Sequence, residues 1–316
     1  MARILVTTDY LVPGDEVDAL LREHGHESVH APFTGARDVT ERQGLFDGFD
    51  GAILAGEPVT AEMLARADRL RVLARSGVGY DAIDLEAAAA RGVRVCSAPG
   101  TNHHSVAELA AGLMIATARR LCAVAREVDR GGWPREAGHE LHGATLGIIG
   151  YGPSGRAMAR IGAALGMDVL VATSHPEPDP GGPSVRFADL DTVVRRADHL
   201  SLHTRADPAR PPLIDAQRLE AMKPTAVLIN TARGQLVDTE ALLVALRRGT
   251  IAAAAVDVLE DEPPSADSPL RGQPNLLITS HLAGQTVEAR ARAGRVAAQA
   301  VVDVLAGREP AHPVDR

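Results

Sequence analysis

Gly150, Gly152 and Gly155 stand between two segments of opposite character. Leu146–Ile149 is a short apolar run that reads as a buried strand, and Arg156–Leu165 reads as a helix stopped by Gly166. In this G-x-G-x-x-G spacing the first glycine permits the tight turn and the second lets a pyrophosphate approach the backbone. The third lets helix and strand pack closely. The helix N-terminus then faces the phosphates. A glycine-rich turn can be a mere connection, but its place between a strand and a helix predicts a dinucleotide site. Pro153 departs from the usual pattern. It has no N–H to offer a phosphate, so Ser154 carries more of that contact.

A chain of 316 residues is long for one core and suits two domains. Its net charge of −8 argues against a nucleic-acid or membrane-surface partner. The two cysteines, Cys96 and Cys122, give neither a disulfide framework nor metal-ligand spacing, so a reduced cytoplasm and no metal are expected. Met1-Ala2-Arg3-Ile4-Leu5 leads directly into a strand, with no signal peptide expected. No apolar run is long enough to span a bilayer.

Strands are expected at Arg3–Thr7, Asp50–Leu54, Arg71–Arg75 and from Arg94, with helices at about Asp15–His24, Thr60–Ala67 and Leu85–Arg91. This alternation predicts a parallel, doubly covered sheet. Ser105–Arg120 is a long apolar helix with Ser105 and Glu108 in capping-box spacing. Leu109, Leu113, Met114 and Ile115 make it a core helix or a subunit interface. Strands Val169–Ala172, His199–His203, Val227–Asn230, Ala252–Val256 and Leu276–Thr279 follow the glycine loop, with helices at Asp215–Met222 and Thr239–Arg248. The Pro- and Asp-rich run Pro176–Pro183 reads as a surface loop. The last helix, roughly Thr286–Ala306, is expected to pack back on the first unit.

Three expected strand ends hold polar residues that a bare scaffold does not need. Arg233, in Asn230-Thr231-Ala232-Arg233-Gly234, presents a fork suited to a carboxylate. Asp257-Val258-Leu259-Glu260-Asp261-Glu262 follows the next strand and Thr279-Ser280-His281 the one after. Ligands of open parallel sheets sit beyond the carboxyl ends of the strands, so all three segments should converge. A histidine beside a carboxylate is a proton-transfer pair. Taken alone, His281 reads as a structural histidine; with Arg233 and a nucleotide loop it reads as an acid/base.

With these residues in place, the chain resembles the D-isomer-specific 2-hydroxyacid dehydrogenases over nearly its whole length. Arg75-Ser76-Gly77-Val78-Gly79-Tyr80-Asp81 is similar to that family's substrate loop, and Asn102 with Ser105-Val106-Ala107-Glu108 to the start of its dimer helix. Met222-Lys223-Pro224 through Gly234 is close to its signature. The resemblance implies two Rossmann-like α/β lobes. A doubly wound dinucleotide-binding domain of 99–283 is inserted into a flavodoxin-like substrate domain of 1–98 plus 284–316. It also implies hydride transfer between NAD(P) and a small 2-oxo or 2-hydroxy acid, in a homodimer. Val78 and Gly79 would offer N–H groups to the substrate carboxylate, with Arg75 nearby. Arg233 would bind the carboxylate and the 2-oxo oxygen, His281 would be the acid/base and Glu262 its charge partner. Asp257 would hold the nicotinamide carboxamide, and Val106, His203, Thr204, Thr231, Ala232 and Ala283 complete the implied cofactor set.

Formate dehydrogenases share this fold but carry glutamine where Glu262 stands. The regulatory domain of long phosphoglycerate dehydrogenases is not expected, since the chain ends soon after the last helix. Corepressors of the C-terminal-binding-protein type also resemble this chain and keep an Arg/Glu/His set; the lack of an extended partner-binding tail favours an enzyme. Phosphoglycerate enzymes carry an arginine after the second strand of the substrate lobe, whereas this chain reads Leu54-Ala55-Gly56-Glu57. A small acid of the glyoxylate or hydroxypyruvate type is therefore favoured, with a phosphoglycerate-like substrate the alternative. NAD enzymes place an aspartate where Thr173 stands, followed here by Ser174 and His175. With Arg205 in place of the usual proline, this leans toward NADP, although Glu177 and Asp179 in the same loop would oppose a phosphate.

Overall fold

Short apolar runs become parallel strands in both halves of the chain. The computed structural model describes residues 1–32, 43–176 and 185–314. It divides into one unit of Met1–Asn102 with Gly284–Arg316 and another of His103–Ala283. The first crossing falls at Asn102–His103, at the end of the loop that contains residues 98 and 99.

In the first unit, β1 (Arg3–Val6), β2 (Glu27–His30), β3 (Gly51–Leu54), β4 (Val72–Arg75) and β5 (Arg94–Cys96) are ordered β2-β1-β3-β4-β5. All pairs are parallel. Strand β2 lies outside the sequence reading because Glu27-Ser28-Val29-His30 is a sheet edge with no fully buried residue and no apolar alternation. Helices Glu16–Glu23, Ala61–Arg66 and Leu85–Ala90 start at Asp15, Thr60 and Asp84, whose side chains accept the N–H groups of Asp18, Met63 and Ala87. Each such cap stabilises its helix by about 1 kcal/mol. The last helix, Val287–Leu305, does pack back on this unit: Ala297, Ala298 and Val301 share a core with Ile4, Ile53 and Val72.

In the second unit, β6 (Thr145–Ile149), β7 (Asp168–Ala172), β8 (Val185–Phe187), β9 (His199–Leu202), β10 (Val227–Asn230), β11 (Ala253–Val256) and β12 (Leu276–Ile278) form a parallel sheet ordered β12-β11-β10-β9-β6-β7-β8. The order reverses between β6 and β9, the doubly wound pattern. Strand β8 and helix Leu190–Arg196 were not expected; both flank residues 177–184, where Pro and Asp obscure the apolar pattern.

The expected capping box does not form. The helix runs His103–Ala118, so Ser105 lies inside its first turn. Its apolar face is internal: Ala110, Leu113 and Met114 pack in one core with Leu146, Ile148 and Met158. Only Ile115 of the expected apolar set stays exposed, at 38%. Uncovered apolar surface sits further on, where helix Leu121–Asp129 has no buried residue and Trp133 is 81% exposed. Among the described residues, no helix is long and apolar enough to cross a membrane.

Candidate active site

The glycine loop follows β6 at the reversal of strand order. Gly150 has φ +96°, and a Cβ there would lie 2.3 Å from the His203 carbonyl oxygen. A Cβ on Gly155 would lie 2.2 Å from the Gly150 carbonyl oxygen. Both positions therefore exclude any side chain on packing grounds alone. Gly152 differs, because a Cβ there meets nothing within 4 Å. The open space beside it suits the pyrophosphate that this glycine is expected to admit. The helix begins at Pro153, not at Arg156. Proline is favoured at a first helical position because that N–H has no helical partner anyway. No side chain caps this helix, which leaves its first N–H groups for an anion. The residues present fit a dinucleotide.

Beside the loop is a cavity of about 470 Å³, lined by Gly150, Thr173, Ser174, Thr204 and Arg205 among others. Thr173 Oγ1 accepts the His175 N–H at 3.2 Å, and Ser174 Oγ lies 2.8 Å from His175 Nδ1, so the turn after β7 is held by its own hydroxyls. Sequence reasoning missed Asp189, Asp207 and Arg210 in the same lining. Their places depend on β8 and on the loop after Arg205. Hydrogen bonds from the Thr192 hydroxyl and N–H hold the Asp189 carboxyl below its usual range, so it is charged at neutral pH. Arg210 pairs with Asp207 at 3.1 Å. Glu177 and Asp179 lie outside the described residues. His203 lies beneath the glycine loop rather than in the cavity lining, with Nε2 2.9 Å from Ser201 Oγ. Burial pushes its imidazole down to about 4, and it is neutral.

The acid–base end is built by the segments after β10, β11 and β12. Asn230 shapes the first: its Nδ2 donates to the Arg233 carbonyl at 2.8 Å and its Oδ1 accepts the Ala232 N–H at 3.0 Å. Arg233 Nη1 donates to the Ala232 carbonyl at 2.7 Å. A Cβ on Gly234 would sit 2.0 Å from the Leu259 carbonyl carbon, so glycine alone lets this segment meet the one bearing Glu262. Thr231 Oγ1 is buried with no partner.

Asp257 is 1% exposed and organises the third segment. Its carboxylate accepts from Thr279 Oγ1 at 2.5 Å, Leu282 N–H at 2.9 Å and Ala283 N–H at 2.7 Å. Its carbonyl accepts the His281 N–H at 2.8 Å. These bonds hold His281 at φ +56°, a left-handed conformation that costs a non-glycine residue roughly 1 kcal/mol. His281 Nδ1 is 2.7 Å from Glu262 Oε2, while Glu262 Oε1 accepts the Leu259 N–H at 2.8 Å. Burial pushes the Glu262 carboxyl up, but the His281 and Leu259 hydrogen bonds and the charges of His281 and Arg233 outweigh it. The net shift is downward. With Nδ1 so engaged, Nε2 is the ring atom left to a substrate. Val106, in the His103–Ala118 helix, and Ala283, in the segment fixed by Asp257, belong to this unit but do not line the cavity.

Arg75, the last residue of β4, and Val78 and Gly79, which follow it, belong to the first unit. Arg75 Nη1 donates to the Leu54 carbonyl at 3.2 Å. Among the described residues, the N–H groups of Val78 and Gly79 make no hydrogen bond.

Residues 111–283 match the model of the D-isomer specific 2-hydroxyacid dehydrogenase NAD binding domain. The chain is 36% identical to the D-3-phosphoglycerate dehydrogenase of Methanocaldococcus jannaschii over 97% of its own length and 58% of that enzyme's. It is 37% identical to the glyoxylate reductase of Thermofilum pendens, covering 81% of this chain and 78% of the reductase. The chain belongs to the D-isomer-specific 2-hydroxyacid dehydrogenase family. Among solved structures, the TT0316 protein of Thermus thermophilus matches with a TM-score of 0.90 and 38% identity over 99% of both chains. The family match covers residues 111–283, so the glycine loop and the Arg233, Glu262 and His281 segments all fall inside its NAD binding domain.

Proposed function

We propose that the chain is an NAD(P)-dependent D-2-hydroxyacid dehydrogenase acting on a small 2-oxo or 2-hydroxy acid. The observation that carries this is the His281 Nδ1–Glu262 Oε2 contact at 2.7 Å, in an assembly that also holds Arg233. Glu262 keeps the imidazole oriented through Nδ1. His281 then delivers a proton from Nε2 to the 2-oxo oxygen, and takes it back in the oxidative direction. Arg233 neutralises the substrate carboxylate and the charge that grows on the oxo oxygen. A bound nicotinamide supplies the hydride. Mixing the protein with NADH or NADPH and a panel of 2-oxo acids, and following nicotinamide absorbance, tests this directly. Turnover of none of them would refute it.

The finer cofactor reading is a small preference for NADPH over NADH. Thr173 and Ser174 supply hydroxyls where a carboxylate would repel a 2′-phosphate, and Arg205 lines the same cavity. Asp189 opposes this as a charged group in the same cavity lining, so the preference is below about tenfold, or about 1.4 kcal/mol.

A homodimer is also proposed, on different ground from the helix first considered. Leu121, Val128 and Trp133 are 49%, 40% and 81% exposed on a segment with no fully buried residue. A second copy would cover this apolar surface. Light scattering at micromolar protein should give twice the chain mass, and Trp133→Asp should lower it. The two cysteines are free, Cys96 buried and Cys122 exposed, which supports a cytoplasmic setting.

A further inference from the structure

Four charged side chains line the cavity beside the glycine loop, the acids Asp189 and Asp207 and the arginines Arg205 and Arg210. Every residue of that lining belongs to the second unit. Both acids are engaged by their own segments. Asp189 starts helix Leu190–Arg196, where Oδ1 accepts the Thr192 N–H at 2.8 Å and Oδ2 the Thr192 hydroxyl at 2.6 Å. Asp207 Oδ1 accepts the Ala209 N–H at 3.0 Å, and its carbonyl accepts the Arg210 N–H at 3.0 Å. Aspartate closes turns in this way because its short side chain reaches the backbone two residues on. The turn returns Arg210 to Asp207, with Arg210 Nε 3.1 Å from Asp207 Oδ2.

That ion pair is separable from the turn. The turn uses Oδ1 and the carbonyl of Asp207, whereas the pair uses Oδ2, so Arg210 can swing away without loosening the loop. The pair is also weak, since its side chains are 81% and 52% exposed and water screens it. Among the described residues, Nη1 and Nη2 of Arg210 make no hydrogen bond. The guanidinium therefore keeps its bidentate edge for another anion. A phosphate is the better partner, because it carries more charge and takes two parallel N–H bonds where Asp207 takes one.

We propose that Arg210 is the exchangeable anion ligand of this cavity, leaving Asp207 to take the 2′-phosphate of NADP. This rests on the cofactor reading above and its lean to NADPH, and it names a residue that reads the phosphate. NAD has only a hydroxyl to offer and leaves the ion pair intact. NADP replaces one ion pair with another, so Asp207 acts as a brake on what Arg210 contributes. The exchange is thus a second reason, besides Asp189, why the preference stays small.

Isothermal titration calorimetry of the full chain with adenosine 2′,5′-bisphosphate and adenosine 5′-monophosphate tests this without turnover. Wild type should bind the bisphosphate more tightly, by less than about tenfold. Arg210→Ala should weaken the bisphosphate by roughly 5- to 10-fold and leave the monophosphate within about twofold. Asp207→Asn keeps the turn, because the asparagine oxygen still accepts the Ala209 N–H, and should tighten the bisphosphate by roughly two- to fivefold. Made in the Arg210→Ala background, the same Asp207→Asn change should gain less than about twofold, because the pair it releases is already gone. Bisphosphate affinity unchanged in Arg210→Ala would overturn the inference alone. So would an equal gain from Asp207→Asn with and without Arg210, which would show that Asp207 only repels the phosphate. A wild type that binds the monophosphate more tightly would refute the NADPH lean together with this inference, and binding of neither nucleotide would refute the dinucleotide reading beneath both.

Discussion

The two ends of the second sheet's working edge are built from different material. At the β6 turn the site is backbone: Gly150 and Gly155 pack against carbonyls, and the uncapped helix from Pro153 presents N–H groups. After β10 to β12 the site is side chain: Arg233, Glu262 and His281 are the groups proposed to act, and Asn230 and Asp257 hold the segments that carry them. A phosphate needs only donors and room, which glycine and a helix end supply without charge. Proton transfer needs a titratable group in a fixed orientation, and that requires partners. Substitutions at the two ends should therefore fail in different ways.

The largest effect should come from the side-chain end. Arg233→Ala and His281→Ala should each lower kcat/KM by roughly 10²- to 10⁴-fold while Tm and cofactor affinity stay near wild type. Near-normal turnover of His281→Ala at every pH would erase the distinction between the two ends.

At the backbone end, Gly150→Ala and Gly152→Ala should separate folding from binding. A Cβ on Gly150 collides with the His203 backbone at 2.3 Å in a positive-φ position, so Tm should fall steeply, with a loss of about 3 kcal/mol or more. A Cβ on Gly152 meets open space, so Tm should hold while the cofactor KM rises. Thermal melts and cofactor titrations read the two outcomes apart. Equal loss of Tm in both variants would show that Gly152 serves packing rather than the ligand.

These differences also explain what could be read before the fold was seen. The glycine loop was legible because its requirement is a backbone one and only one residue type meets it. Arg233, Glu262 and His281 were legible because each follows a short apolar strand, and because the resemblance gave them roles. Asp189, Asp207 and Arg210 were not, since polar residues in a loop look alike until strands β7 to β9 place them along one cavity. Glu57 was visible as an added acid, but its burial without a partner has no signature in sequence. The apolar 103–118 helix left two readings open, a core helix or a subunit interface. Its pattern marks burial, and only the structure shows that its own unit's core does the burying.

A smaller effect follows at Glu262. Its carboxyl lies below the usual range, so it stays ionised as pH falls to the ordinary carboxylate value, and its support for His281 is lost only below that. In Glu262→Gln this charge is absent at every pH. Wild-type 2-oxo acid reduction should therefore hold its rate down to the ordinary carboxylate value and lose it below, whereas Glu262→Gln, with no charge to lose, should be slower and lack that acid limb. A pH–rate profile in which the variant keeps the wild-type acid limb would make Glu262 a spacer rather than a charge partner.

The smallest effect belongs to the cavity, where side chains decorate the backbone-built end. Thr173 stands where a carboxylate would take both ribose hydroxyls, and removing an acid removes discrimination without creating much of it. Thr173 Oγ1 already accepts the His175 N–H at 3.2 Å, so it is spent on its own turn as much as on a ligand. Arg205 and Asp189 line the same cavity with opposite charges, so one would attract a 2′-phosphate that the other would repel. The ratio of kcat/KM for NADPH over NADH should therefore exceed one by less than about tenfold in wild type. Thr173→Asp should drive it below one, since a like charge within a few ångströms of the phosphate costs about 1 to 3 kcal/mol even when partly screened. A wild type that strongly prefers NADH would place the discrimination with Asp189. A Thr173→Asp ratio equal to wild type would show that the end of β7 does not touch the ribose.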